Sequence, residues 1–190
     1  MPAPEKPKSA VSRAWSFFTG SGSISPEKEA HAEPERLNLS SPLRPPKDEE
    51  LRLLPQQFRD AVSSLYSADD QAVMRAINAL LFVRREPVAD KYSRPVRPYL
   101  TEVFKHHAQE NVRAALLECL SVMEGRNAVD VYVYALRDNS AVVRKKALAA
   151  IEKHGSEREI LALRQFIDRV HENELFKARA KDIIGKLRER

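Results

Sequence analysis

One segment recurs along this 190-residue chain, and its recurrence limits what the chain can fold into. The clearest copy is Asp138-Asn139-Ser140-Ala141-Val142-Val143-Arg144-Lys145-Lys146-Ala147-Leu148-Ala149-Ala150-Ile151. A second copy runs from Glu110 to Leu120, and its Val112-Arg113 lies 31 residues before Val143-Arg144. Phe176-Lys177 follows 33 residues after that pair, with Ala180 and Ile184 at the next apolar positions. A looser copy from Asp69 to Ala76 puts Met74-Arg75 in register, 38 residues ahead of Val112-Arg113. A period in this range, with two helices per unit, marks a helical solenoid. One helical hairpin cannot hide its apolar face; four stacked in order build a continuous core in which each touches only its neighbours.

Apolar spacing supplies the helices. Phe58, Ala61, Val62, Leu65 and Tyr66 form one stripe after Pro55, which suits a first helical turn because its missing N–H costs nothing there. Val73, Ile77, Leu80 and Leu81 form the next, and Tyr99, Leu100, Val103, Phe104 and His107 follow Pro98. Val112, Leu116, Leu117 and Leu120 come after, then Val143, Ala147, Leu148 and Ile151 with Gly155 placed for a C-cap. Ile160, Leu163, Phe166, Ile167 and Val170 stripe the next helix, and Phe176, Ala180, Ile183, Ile184 and Leu187 the last. Residues 127–136 read two ways: Val129, Val131 and Val133 alternate as in a strand, while Val129, Tyr132, Val133 and Leu136 make a helical stripe. A lone strand has nothing to pair with in such a chain, so the segment is assigned to a helix. The prediction is all-α, with eight helices in four hairpins over residues 48–190. Ala114, Ala115, Ala147, Ala149 and Ala150 let neighbouring helices approach closely, and Leu148 and Ile151 belong to the core.

Asp138, Val143, Arg144, Ala147 and Ile151 carry a likeness to a known family. An Asp, then Val-Arg, then Ala and an aliphatic residue resembles the second-helix pattern of HEAT repeats, over about three quarters of the chain. The resemblance implies a short right-handed α-solenoid, with first helices on the convex layer and second helices on the concave one. It speaks to architecture and is nearly silent on chemistry. Five residues before the Val position stand Asp69, His107, Asp138 and His171 in turn, so an Asp–Arg ladder is expected to lapse at the second and fourth repeats. The acidic Asp48-Glu49-Glu50 and the charged run from Lys186 to Arg190 suit the two open ends of the stack.

Residues 1–47 differ in kind. They hold 8 of the 12 prolines, with much Ser and Glu, and bury too little apolar surface to order themselves; they read as a disordered tail. Within the tail lies an aromatic island, Ser12 to Gly20, containing Trp15, Phe17 and Phe18. Aromatic rings supply much contact area per residue, so the island is a candidate docking motif as well as a chance cluster or a cap on its own domain. Ser25-Pro26 and Ser41-Pro42 read as turns, or as proline-directed phosphosites.

Charge and chemistry narrow the function. The chain has 32 Lys+Arg against 27 Asp+Glu, a net +5 that is basic yet well mixed. The N-terminus has no apolar run of signal-peptide length and the chain has no run long enough to cross a bilayer, so a cytoplasmic location is expected. The single Cys119 excludes a disulfide within the chain and sits among leucines, as a small buried thiol. His106 and His107 are adjacent on a helix and point about 100° apart, too far to share a metal. His171-Glu172 is the one His-Glu pair, whereas HEAT-like di-iron hydroxylases use several; it reads as a solvated helix boundary. HEAT-like DNA glycosylases use groove tryptophans, and the repeats have none. No cofactor, metal or small-molecule substrate is expected.

Two basic groups remain. Arg75, Arg113, Arg144 and Lys177 recur at one repeat position, extended by Lys145 and Lys146. They form either a positive concave stripe or rungs that bridge neighbouring repeats. Arg84, Arg85, Lys91, Arg94 and Arg97 fall in what reads as the longest connector, from Arg84 to Arg97, a candidate binding loop. The expectation is a non-enzymatic scaffold or adaptor that binds a protein partner on the solenoid surface and docks a second time through its tail. The alternative is a nucleic-acid-binding protein that uses the basic stripe.

Overall fold

A computed structural model describes residues 43–83, 89–169 and 171–190; of residues 89–91 and 93 the backbone alone is described. The tail with Trp15, Phe17, Phe18, Ser25-Pro26 and Ser41-Pro42 lies outside the described residues. So do Arg84, Arg85, the Lys91 side chain and Val170. Among the described residues the chain is all-helical, with no strand. The helices are α1 (Asp48–Leu51), α2 (Gln56–Ser64), α3 (Asp70–Val83), α4 (Ala89–His106) and α5 (Glu110–Met123), then α6 (Val129–Ala135), α7 (Ala141–His154), α8 (Ile160–Ile167) and α9 (Glu174–Arg188). Short 3₁₀ turns, Gly125–Ala128 and Glu157–Glu159, lead into α6 and α8. The eight expected helices are present, and α1 is an additional single turn.

Packing follows the repeat register. α2 pairs with α3, α4 with α5, α6 with α7 and α8 with α9, while α3, α5, α7 and α9 lie against one another in that order. The apolar stripes meet in one core: Phe58, Leu65, Ile77, Leu80, Leu100, Phe104, Leu116, Leu117, Leu120 and Phe166 are among its fully buried side chains. Val143, Ala147, Leu148 and Ile151 are buried where the register puts them. Ala114, Ala147 and Ala150 are buried between helices, but Ala149 is exposed. Leu43 also packs on the core, so ordered packing starts a few residues ahead of the composition boundary at 47.

Two local expectations need correction. The Arg84–Arg97 stretch is not one connector, because α4 begins at Ala89 and carries Pro95 and Pro98 in its interior. An interior proline costs a helix ~3 kcal/mol or more. Here Val96, Leu100 and Val103 are fully buried below the two prolines, and the Tyr92 ring lies 5.5 Å from that of Phe58. Tertiary packing thus carries the helix past both prolines, which themselves face solvent.

Residues 129–135 are helical, but the stripe is turned from the one expected. Val131, Tyr132, Ala135 and Leu136 are buried and Val129 and Val133 only partly so. Gly155 is the C-cap of α7, as expected, and its backbone there is extended, at φ −70° and ψ 171°, with no left-handed turn. Glycine is needed there for close approach instead. A Cβ at this position would lie 2.5 Å from the carbonyl oxygen of Ile151, which accepts the Gly155 N–H at 2.7 Å.

Candidate functional site

The repeated arginines define the geometry from which the site departs. Arg113, on α5, is buried with its partner Asp138, the two side chains being 8% and 1% exposed. Its Nε and Nη2 each donate to the Asp138 carboxylate at 2.8 Å. Its Nη1 donates backwards to the carbonyls of His107 and Ala108, at 2.9 and 2.6 Å. Arg113 therefore fastens the loop of its own hairpin to the turn of the next. Asp138 Oδ1 also accepts the Ser140 N–H at 2.8 Å, and Ser140 Oγ caps α7 by accepting from Val142 N. The turn is thus pre-shaped to hold the carboxylate where the guanidinium arrives.

Arg144 repeats the device one hairpin later. Its Nη1 donates to the carbonyls of Asp138 and Asn139, and its Nε and Nη2 lie 2.9 and 3.1 Å from the buried Glu172 carboxylate. The expected lapse at the fourth repeat is therefore corrected: the acid stands one residue later than the pattern requires. It also corrects the reading of His171-Glu172 as a solvated boundary, since His171 is exposed while Glu172 is buried as a rung.

At the first junction the ladder does lapse. The turn facing α3 offers His107 rather than an acid. His107 is buried, accepts the Gln109 N–H at Nδ1, and brings Nε2 to 3.5 Å from Asp70. Burial lowers its pKa, opposed by the nearby Asp70 carboxylate. Arg75 consequently has no rung to make. It stays 69% exposed with a loose contact to Asp69 at 3.4 Å. Lys177, at the last position, pairs within its own helix with Glu174. The predicted stripe is therefore divided: Arg113 and Arg144 are committed between hairpins, Lys146 pairs with Glu118, and Arg75 and Lys145 face solvent.

An open groove of about 510 Å³ lies where the rung is missing, between the N-terminal halves of α3 and α5. Asp70, Gln71, Met74, Arg75 and Asn78 line it from α3; Gln109, Asn111 and Val112 line it from the start of α5. Gln71, Arg75 and Asn78 are spaced i, i+4, i+7, so one helix face presents them together. Each amide offers both donors and an acceptor. With Met74 and Val112 beside them, four amides, one guanidinium and the Asp70 carboxylate make a surface suited to hydrogen-bonding another main chain. Sequence reading singled out Arg75 alone of these. The signal that could have found the others is the recurrence of amides at the starts of the first two second helices, Gln71 and Asn78 in one and Gln109 and Asn111 in the next.

Elsewhere the chemistry-bearing side chains act structurally. Cys119 is fully buried, and burial pushes its thiol up to about 12. Ser121 Oγ lies 2.9 Å from His154 Nε2, a contact between the ends of α5 and α7 that sequence reading missed. Burial and the adjacent Lys153 lower the His154 pKa. Among the described residues no three His, Cys, Asp or Glu side chains converge as a metal site, and no helix is long and apolar enough to cross a membrane. Of the predicted basic loop, Arg94 and Arg97 lie on α4, away from the α3–α5 groove. Compared with known proteins, the chain matches no family model, no curated protein and no solved structure.

Proposed function

We propose that the chain is a non-enzymatic adaptor, a short right-handed HEAT-like solenoid that holds an extended protein segment in the α3–α5 groove. The observation that carries this reading is the interrupted ladder: where the rung is absent, an amide-lined groove stands open with Arg75 at its rim. An unfolded segment brings unpaired main-chain N–H and C=O groups, and side-chain amides answer both. None of these groove side chains is a nucleophile. The HEAT-like reading is supported by the hairpin order and by the row of second helices, α3, α5, α7 and α9. The tail island of Trp15, Phe17 and Phe18 is proposed as a second contact with the same partner, its tether raising local concentration without contacts of its own. The basic-stripe alternative draws less support, because Arg113 and Arg144 are engaged between hairpins.

The test is selection of short unstructured peptides from a displayed library on the full chain. Recovered peptides are then measured against a Gln71→Ala/Asn78→Ala/Asn111→Ala variant. These side chains are exposed, so their truncation should leave stability within about 0.5 kcal/mol. The reading expects affinity to fall about tenfold or more. Equal binding to both proteins would overturn it. Binding of oligonucleotides that weakens steeply with salt would favour the nucleic-acid alternative.

A further inference from the structure

Positive charge on the repeats is concentrated rather than spread. Residues 84–106 contain six basic and three acidic residues, while the rest of 48–190 is balanced at nineteen of each. Within that segment the side chains of α4 are sorted by face. Val96, Leu100, Val103 and Phe104 are buried, while Arg94, Arg97, Thr101 and Lys105, spaced i, i+3, i+7 and i+11, share another face. That face borders an open groove of about 490 Å³, which His106 also lines. Arg94 and Lys105 are exposed. Arg97 is held at 2.6 Å by Asp130, a carboxylate that is itself 69% exposed. The Lys105 ammonium rests 5.3 Å from the centre of the Tyr134 ring.

We propose that this face of α4 is a second binding surface, and that its occupant is an acidic, unstructured protein segment. Two negative groups on the face set the choice between polyanions. Glu102 stands within the groove, where it accepts the Tyr66 hydroxyl at 2.7 Å, and Asp130 stands on Arg97. A phosphate backbone carries a charge at every nucleotide and would meet both carboxylates. A peptide can place a neutral residue opposite Glu102 and a carboxylate on Arg97 in the position Asp130 now holds. Single-strand binders also stack bases on aromatic faces. The Tyr134 ring, the one beside Lys105, has the Lys105 ammonium over it. From Arg94 to Lys105 the helix spans roughly 16 Å at about 1.5 Å per residue. About five extended residues at ~3.3 Å each cover that length. The surface is separate from the α3–α5 groove, and the inference does not rest on the function proposed for that groove.

The experiment uses the full chain and three labelled probes of matched charge number: a Glu-Gly repeat peptide, a Lys-Gly repeat peptide and oligo(dT). Anisotropy is read at low and at physiological salt. The Glu-Gly peptide is expected to bind best and to weaken with salt. Arg94→Glu/Lys105→Glu should weaken it about tenfold, two exposed attractions having become two repulsions. Arg94→Gln/Lys105→Gln should weaken it less. The same reversal on α9, Lys181→Glu/Arg188→Glu, should leave it nearly unchanged. Three results would overturn the proposal: no binding of the Glu-Gly peptide at low salt, equal loss from the α4 and α9 reversals, or tighter binding of oligo(dT).

Discussion

Replacing Asp138 by Ala would strand the Arg113 guanidinium between two hairpins. The carboxylate accepts three hydrogen bonds, two from Arg113 and one from the Ser140 N–H, and its side chain is 1% exposed. Removing one partner of a buried ion pair costs about 3–5 kcal/mol, chiefly because the remaining charge is left without a partner. Arg113 retains its two bonds to the His107 and Ala108 carbonyls, which places the expected loss near the lower end, about 3 kcal/mol. For a domain of this size, each kcal/mol moves the melting temperature by about 2–4 °C, so Asp138→Ala should melt about 6–12 °C lower. Asp138→Asn keeps an acceptor for Ser140 and should lose about 2 kcal/mol. Chemical denaturation with circular dichroism reads both. Arg113→Met/Asp138→Leu should recover most of the loss, because it removes the stranded charge along with its partner. If Asp138→Ala loses under about 1 kcal/mol, or the double variant falls by the sum of the singles, the pair is not the fastening described.

Ile151, fully buried at the third repeat, should cost about 2–5 kcal/mol when truncated to Ala, and near-neutral unfolding curves would place the register elsewhere. Acidification should destabilise the fold below the ordinary histidine value of 6.5, because burial lowers the pKa of both His107 and His154. The unfolded chain then binds more protons, so stability is complete above about pH 6.5 and is lost as pH falls through the depressed folded values. His107→Gln/His154→Gln should flatten that slope in urea titrations run across the window. The Cys119 thiol should resist alkylation at neutral pH until the chain unfolds, given its burial and a pKa near 12. Rapid labelling of the native protein would contradict that environment.

The parts that were legible in the sequence are those where one interaction dominates. Second helices repeat Val-Arg and Ala because the same valine enters the core and the same arginine reaches the next turn, as Val143 and Arg144 do. Glu172 was hidden because the pattern tests one position, whereas a flexible Arg144 side chain reaches an acid one residue further on. The start of α4 was hidden for a different reason. Proline weighs heavily in any local reading, and the burial of Val96 and Leu100 that outweighs it is a property of the neighbouring helices. The stripe of α6 was misplaced because Val129, Val131 and Val133 are alike in hydrophobicity, so only packing decides which faces inward. The groove amides carry no periodic apolar signal. What makes them a candidate site is the packing of α3 on α5, which brings Asn78 and Asn111 into the lining of one groove.

The junction between the first and second hairpins is fastened on the side away from its missing rung. The Tyr66 hydroxyl donates to Glu102, and the Phe58 ring meets Tyr92, so α2 and α4 are joined by polar and aromatic contacts. On the opposite side α3 packs on α5 and, among the described residues, has the Asp70–His107 approach at 3.5 Å in place of the buried arginine pairs that lock the next two junctions. The specific polar fastening of this junction is thus one-sided, and the first turn of α3 holds the weaker share of it. Amide exchange should show the first turn of α3 opening sooner than the first turn of α7.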